Sequence, residues 1–188
     1  LKQNGYKIKV FNLIEMNYSN KYNPFEYIRN DTDVFKFIDF LIMNTNPQDQ
    51  NVKVEPFWEK AESLLLSALM FYLIEYRTKE EQNFTSIMNL LRAAEVNEYD
   101  TNSKSLLDMA FDKIIANNPN SLTAMQYKAF KSASGKILKS ILVSLNSRLQ
   151  YFNLPEYANL TNGDNINLYE IPNEKCALFV ITSDTDRS

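Results

Sequence analysis

The sequence predicts a mainly α fold, a bundle of about six helices inserted between strands at the two ends of the chain. Three observations predict it. Runs with strand character, Tyr6–Ile14 and Ala177–Thr182, sit only near the ends. Between them apolar residues recur at helical spacing. Glycine is scarce, at Gly5, Gly135 and Gly163 only, which suits helices and argues against glycine loops that cradle nucleotides.

The first strand, Tyr6–Ile14, alternates and is rich in β-branched and aromatic residues. A polar loop follows to Pro24, and Asn23 before proline should be extended. Asp31 is the expected cap of the first helix, whose buried face is Val34, Phe37, Ile38, Leu41 and Ile42. Thr45–Val54 reads as a polar loop. The helix Glu55–Arg77 is the one around which the others must pack. Pro56 suits a first helical position, and Glu55, Glu59 and Glu62 suit the positive end of the helix dipole. From Leu64 to Ile74 it is apolar on nearly every face except at Ser67. That run is too short for a membrane span, which needs roughly 18 residues, so it reads as a core helix. Trp58 is expected to be a buried anchor on it.

A third helix opens at Asn83 or Thr85 and buries Ile87, Leu90, Leu91 and Ala94. After a break at Tyr99–Ser103, a fourth spans Lys104–Ala116 through Leu107, Phe111 and Ile114. Ser121 caps a fifth, with Leu122, Met125 and Ala129 inward. The sixth, Ser134–Tyr151, repeats Ile137, Ile141, Leu145 and Leu149 every fourth residue. Leu154–Gly163 reads as a turn region, Asn167–Ile171 as a short strand, and Ala177–Thr182 as a buried strand. The simplest topology makes the two end strands neighbours, with the helices hung between them and further strands missing.

Composition limits function. With 188 residues, 45% of them hydrophobic, the chain can bury a proper core. There is no histidine, so no histidine-based metal site, general base or triad. The single Cys176 permits no internal disulfide and fits a reducing compartment. No signal peptide or membrane span is visible, and a start at Leu1 reads as a piece of a longer protein.

Charge is the informative feature. Between Asp112 and Glu156 there is no acid, while Lys113, Lys128, Lys131, Lys136, Lys139 and Arg148 are all basic. A net charge of −3, less these six, leaves −9 on the rest of the chain. Lys128, Lys131, Lys136, Lys139 and Arg148 are therefore candidates for contact with nucleic acid or a partner. A solvated face that keeps the domain soluble is the other reading. Ser134-Gly135-Lys136 is not a phosphate loop, because Phe130 and Ile137 stand where that motif needs glycine and Ser or Thr. Asp184 and Asp186 could bind a metal, sit near a catalytic centre or merely end a strand. No nucleophile–base pair is present.

Ordered blocks add a resemblance. Tyr22-Asn23-Pro24-Phe25-Glu26-Tyr27-Ile28 resembles the YNPFxYI block of TraG-like conjugative coupling proteins from Gram-positive bacteria, and Phe57-Trp58-Glu59-Lys60-Ala61-Glu62 their FWxKAE block. Glu81–Phe84, Gln126–Lys128, Ala133–Leu142, Ala177–Ile181 and Ser183–Asp186 match further blocks in order. The resemblance implies a hexameric, membrane-anchored, RecA-like ATPase that docks relaxase-bound DNA and passes it to a type IV secretion channel. An all-α domain is inserted in its ATPase domain. Residues 1–24 would be an ATPase-domain strand and linker, 25–160 the all-α insertion, and 161–188 the return to a truncated RecA-like sheet. Both Walker motifs and the anchor are missing here. The implied role is thus substrate docking without catalysis, in a cytoplasmic domain that holds no cofactor; ATP and Mg belong to the full-length family. Implied partners are the relaxase, relaxosome accessory proteins and DNA, with hexameric self-association of the full-length protein. The alternative is a motor fragment whose helices set hexamer geometry.

Overall fold

The computed structural model describes residues 1–45, 56–95, 104–132 and 135–183, without the side chains of Pro56 and Lys136. The expected loop before Pro56, the break at Tyr99–Ser103 and the Asp184/Asp186 pair lie outside the described residues. Contacts divide the chain into two compact units. One comprises residues 1–27, 83–85 and 151–188, the other residues 28–82 and 86–150. Among the described residues there are seven α-helices and one two-stranded parallel sheet.

The helical unit is built on α2 (Pro56–Tyr76), in which every side chain from Leu65 to Leu73 is buried. α1 (Asp31–Asn44), α5 (Leu122–Lys131) and α6 (Gly135–Arg148) pack against it, and α4 (Leu106–Asn117) packs on α5. The expected cap of α1 is displaced by one residue. Asn30 is the N-cap and its side-chain oxygen accepts from the Asp33 amide at 3.0 Å, so Asp31 is a first-turn acid. Val34, Ile38 and Ile42 form the buried stripe of α1. α3 (Phe84–Ala93) buries Ile87, Met88 and Leu91. α4 starts in a reciprocal cap, in which Ser105 accepts from the Asp108 amide and Asp108 from the Ser105 amide.

Two expectations about side chains fail here. Trp58 is only half-buried, set edge-on to exposed Phe57 at 5.7 Å, because the first turn of α2 precedes the stretch its neighbours cover. α5 is rotated. Thr123, Ala124, Tyr127 and Phe130 are buried, while Met125 and Ala129 are exposed. Two aromatic rings bury more area than Leu122 and Met125 would, and Tyr127 lies 4.1 Å from the Phe111 ring. Thr123 is satisfied by donating to Glu75 at 2.8 Å.

The strand unit joins both ends of the chain. β1 (Lys7–Asn12) and β2 (Cys176–Ile181) pair in parallel, from Lys7 opposite Cys176 to Asn12 opposite Ile181. The expected adjacency of the end strands holds, but β2 is not buried: Phe179, Val180 and Ile181 are 45, 59 and 39% exposed. Among the described residues β2 has one neighbouring strand, which leaves these side chains in solvent. The expected turn region holds a helix, α7 (Pro155–Thr161), with proline at its first position. The expected strand at 167–171 is instead a turn, because Asn167 adopts φ 47° and its amide donates to Asp164.

The Tyr22–Tyr27 block is pinned by the same loop. Asp164 accepts from the Asn23 amide at 3.2 Å and the Tyr27 hydroxyl at 2.9 Å, and that hydroxyl accepts from the Leu168 amide. Burial, with the neighbouring Asp164 carboxylate adding to it, pushes the Tyr27 phenol well above its ordinary range. Phe25 and Phe84 meet edge to face, and Phe84 stacks on Phe152 at 3.9 Å.

Candidate functional site

Among the described residues the basic segment does not present all its charges to solvent, since Arg148 is buried. On α5, Lys128 and Lys131 are three residues apart and both exposed, flanking the buried Tyr127 and Phe130. Lys128 lies 3.4 Å from the Pro119 carbonyl. Lys131 pairs with Asp108 at 2.7 Å. Asp108 also accepts from the Tyr127 hydroxyl at 2.8 Å and from the Ser105 hydroxyl at 2.8 Å. Burial alone would raise the Asp108 carboxyl. The Lys131 ammonium and these two hydroxyls outweigh it and bring the carboxyl down to about 2. Lys131 is thus half committed to structure.

On α6, Lys139 stands on an exposed strip with Ser140, Val143 and Ser147, while Ile141 and Leu145 face inward. Lys139, Ser140, Val143 and Ser144 line a shallow concavity of 440 Å³. Lys136 lies in the first turn of the same helix.

Arg148 departs from the expectation for a binding residue. Its side chain is 7% exposed and pairs at 2.7 Å with Glu62, whose side chain is 1% exposed. The guanidinium also donates to the Ile42 carbonyl at 2.8 Å and the Thr45 hydroxyl at 2.9 Å, closing the C-terminal end of α1. Ser144 donates to the other Glu62 oxygen. Arg148 therefore ties α1, α2 and α6 together and presents no charge to a partner. Two of the six positive charges are neutralised by acids that lie far away in sequence, at Asp108 and Glu62.

Sequence reasoning missed a second surface. A groove of 760 Å³ runs along α1 and α2. Phe35, Asp39 and Met43, each four residues apart, form one wall. Lys60, Leu64 and Ser67 form the other, and Gln126 of α5 contributes. Met43 and the adjacent Phe40 are 69 and 62% exposed. The Ser67 hydroxyl is buried and has no hydrogen-bond partner among the described residues. Ser67, the one polar residue inside an apolar run, was the signal available in the sequence.

No helix among the described residues is long and apolar enough to cross a membrane. No curated protein matches the chain. A family model described as type IV secretory system conjugative DNA transfer matches residues 1–188. A match over the full 188 residues is decisive, and the chain belongs to the type IV secretory system conjugative DNA transfer family.

Proposed function

We propose that these residues are the substrate-docking part of a conjugative DNA-transfer coupling protein. The helical unit recognises relaxosome proteins, or the DNA they carry, and the strand unit belongs to the RecA-like sheet of the motor. The observation that carries this reading is the insertion. β1 and β2 are parallel neighbours, yet the helical unit lies between them in sequence, and one family spans it all. The domain is a cytoplasmic part of a membrane-anchored protein and performs no hydrolysis by itself; ATP and Mg act in the full-length protein.

Protein is favoured over DNA as the first contact. The chain is net negative, and Lys131 and Arg148 already hold acids. The groove beside Met43 offers apolar contact, and exposed Lys128 and Lys139 carry charge on α5 and α6. The test is capture of cognate relaxosome proteins on the immobilised chain, run beside a gel shift with single- and double-stranded DNA. Met43→Lys should reduce protein capture. Lys136→Glu with Lys139→Glu should reduce whatever DNA binding exists and flatten its salt dependence. If neither variant changes either readout, the docking reading fails. Concentration-dependent assembly beyond a dimer, without capture, would support the hexamer-geometry alternative.

A further inference from the structure

The groove on the helical unit has an order of polar and apolar positions along its length. α1 and α2 run antiparallel. Phe35 meets Phe71 edge to face at 5.4 Å, and Arg148 ties Ile42 and Thr45, at the far end of α1, to Glu62 near the start of α2. Asp39 lies four residues past Phe35 and Ser67 four residues before Phe71, so the two stand at one level of the groove that both line. One turn further along α1 comes Met43, 69% exposed. The α1 wall therefore reads apolar, acid, apolar in steps of about 6 Å. Asp39 is exposed and has neither an ion pair nor a hydrogen bond among the described residues. The Ser67 hydroxyl at its level is buried and equally without a partner there. Glu59 and Lys60, past Met43, carry opposite charges, so Asp39 sets the sign of the groove.

We propose that this groove receives one amphipathic helix of a partner protein, with a lysine or arginine seated on Asp39 between apolar side chains four residues before and after it. The inference rests on the docking reading and adds the chemistry of the docked segment. α1 and α2 use their backbone groups internally and offer no strand edge to an extended peptide, whose own amides would lie unpaired against apolar side chains. A helical guest arrives with its backbone satisfied, and its residues repeat every four at the step of the wall. Its cation pairs with the Asp39 carboxylate, and the Ser67 hydroxyl gains at that level the donor it lacks. The apolar residues one turn to either side cover Phe35 and Met43.

Two synthetic helical peptides of about 16 residues serve as probes. Each carries leucines four residues either side of a central position, which is lysine in one and glutamate in the other, on an alanine and glutamine helix. Fluorescence anisotropy against the whole chain should show the lysine peptide binding with a Kd of about 10–100 µM, at least about tenfold tighter than the glutamate peptide. Asp39→Lys should reverse that preference. Ser67→Ala should weaken the lysine peptide about threefold and leave the melting of the free chain unchanged. A preference that does not reverse, or no binding of either peptide at about 1 mM, overturns the proposal. Self-association that Asp39→Lys abolishes would make a second copy the occupant. In a Cys176→Ser background, maleimide labelling of Met43→Cys more than about a hundredfold slower than of Phe40→Cys would make the chain itself the occupant. Either result also overturns it. Relaxosome capture that Asp39→Lys leaves unchanged, with both peptides inert, sinks this inference and spares the docking reading; the predicted peptide binding without any capture sinks the docking reading and spares the groove.

Discussion

Replacing Arg148 by alanine should destabilise the helical unit without touching a binding surface. Glu62 would keep its place in the interior, 1% exposed, with only the Ser144 hydroxyl among the described residues to satisfy it. The Ile42 carbonyl and Thr45 hydroxyl at the end of α1 would lose their donor as well. Breaking a buried ion pair from one side costs about 3–5 kcal/mol. With a urea slope of about 2 kcal/mol/M, the midpoint should fall by about 1.5–2.5 M. Trp58, the sole tryptophan, lies in the helical unit and supplies the fluorescence probe. Arg148→Met combined with Glu62→Leu removes both charges together and should recover at least half the loss. A loss below about 1 kcal/mol for Arg148→Ala, or a double variant no better than the single one, would refute the structural role assigned to Arg148.

The remaining predictions concern other elements. Asp108 has a carboxyl depressed from 3.8 to about 2. Its contribution is present above the unfolded value and is lost as pH falls from about 4 to 2. Discounted for solvent screening this amounts to about 1 kcal/mol, and acid titration of Asp108→Asn should show a correspondingly flatter loss of stability over that window. Trp58→Ala, which would cost ~3–5 kcal/mol at a fully buried site, should cost about 1–2 kcal/mol at this half-buried one; a larger loss in urea melts would show that the indole is better packed than its setting implies. The isolated chain should not turn over ATP, since no glycine-rich loop with Lys and Ser or Thr is there to hold phosphates. Hydrolysis that survives successive purification columns would contradict this.

What the sequence revealed follows from how local each signal is. α2 was legible because an apolar run of that length has few alternatives. The adjacency of β1 and β2 was legible because each run needed a partner and each was the other's simplest one. The face of α5 was not, since Leu122 and Met125 make a plausible stripe until Phe111 brings an aromatic neighbour for Tyr127. The fate of the basic residues was not legible either. Segment charge is a one-dimensional count, and Asp108 and Glu62 reach Lys131 and Arg148 only through the fold. α7 could have been read from Pro155, by the logic that placed Pro56 at a helix start.

The pairing of Lys7 with Cys176 also fixes an order of events. Almost the whole chain lies between these partners, and the entropy lost on closing a loop grows with its length. No contact between these two strands repays that loss until β2 has been synthesised. The helices of residues 28–150 are governed by shorter-range contacts, which form faster. Their folding shortens the free chain that the two strands must close. On the ribosome, the edge of β1 that faces β2 therefore stays open until β2 emerges, so a chain interrupted before Cys176 should leave a folded helical body with that edge unpaired.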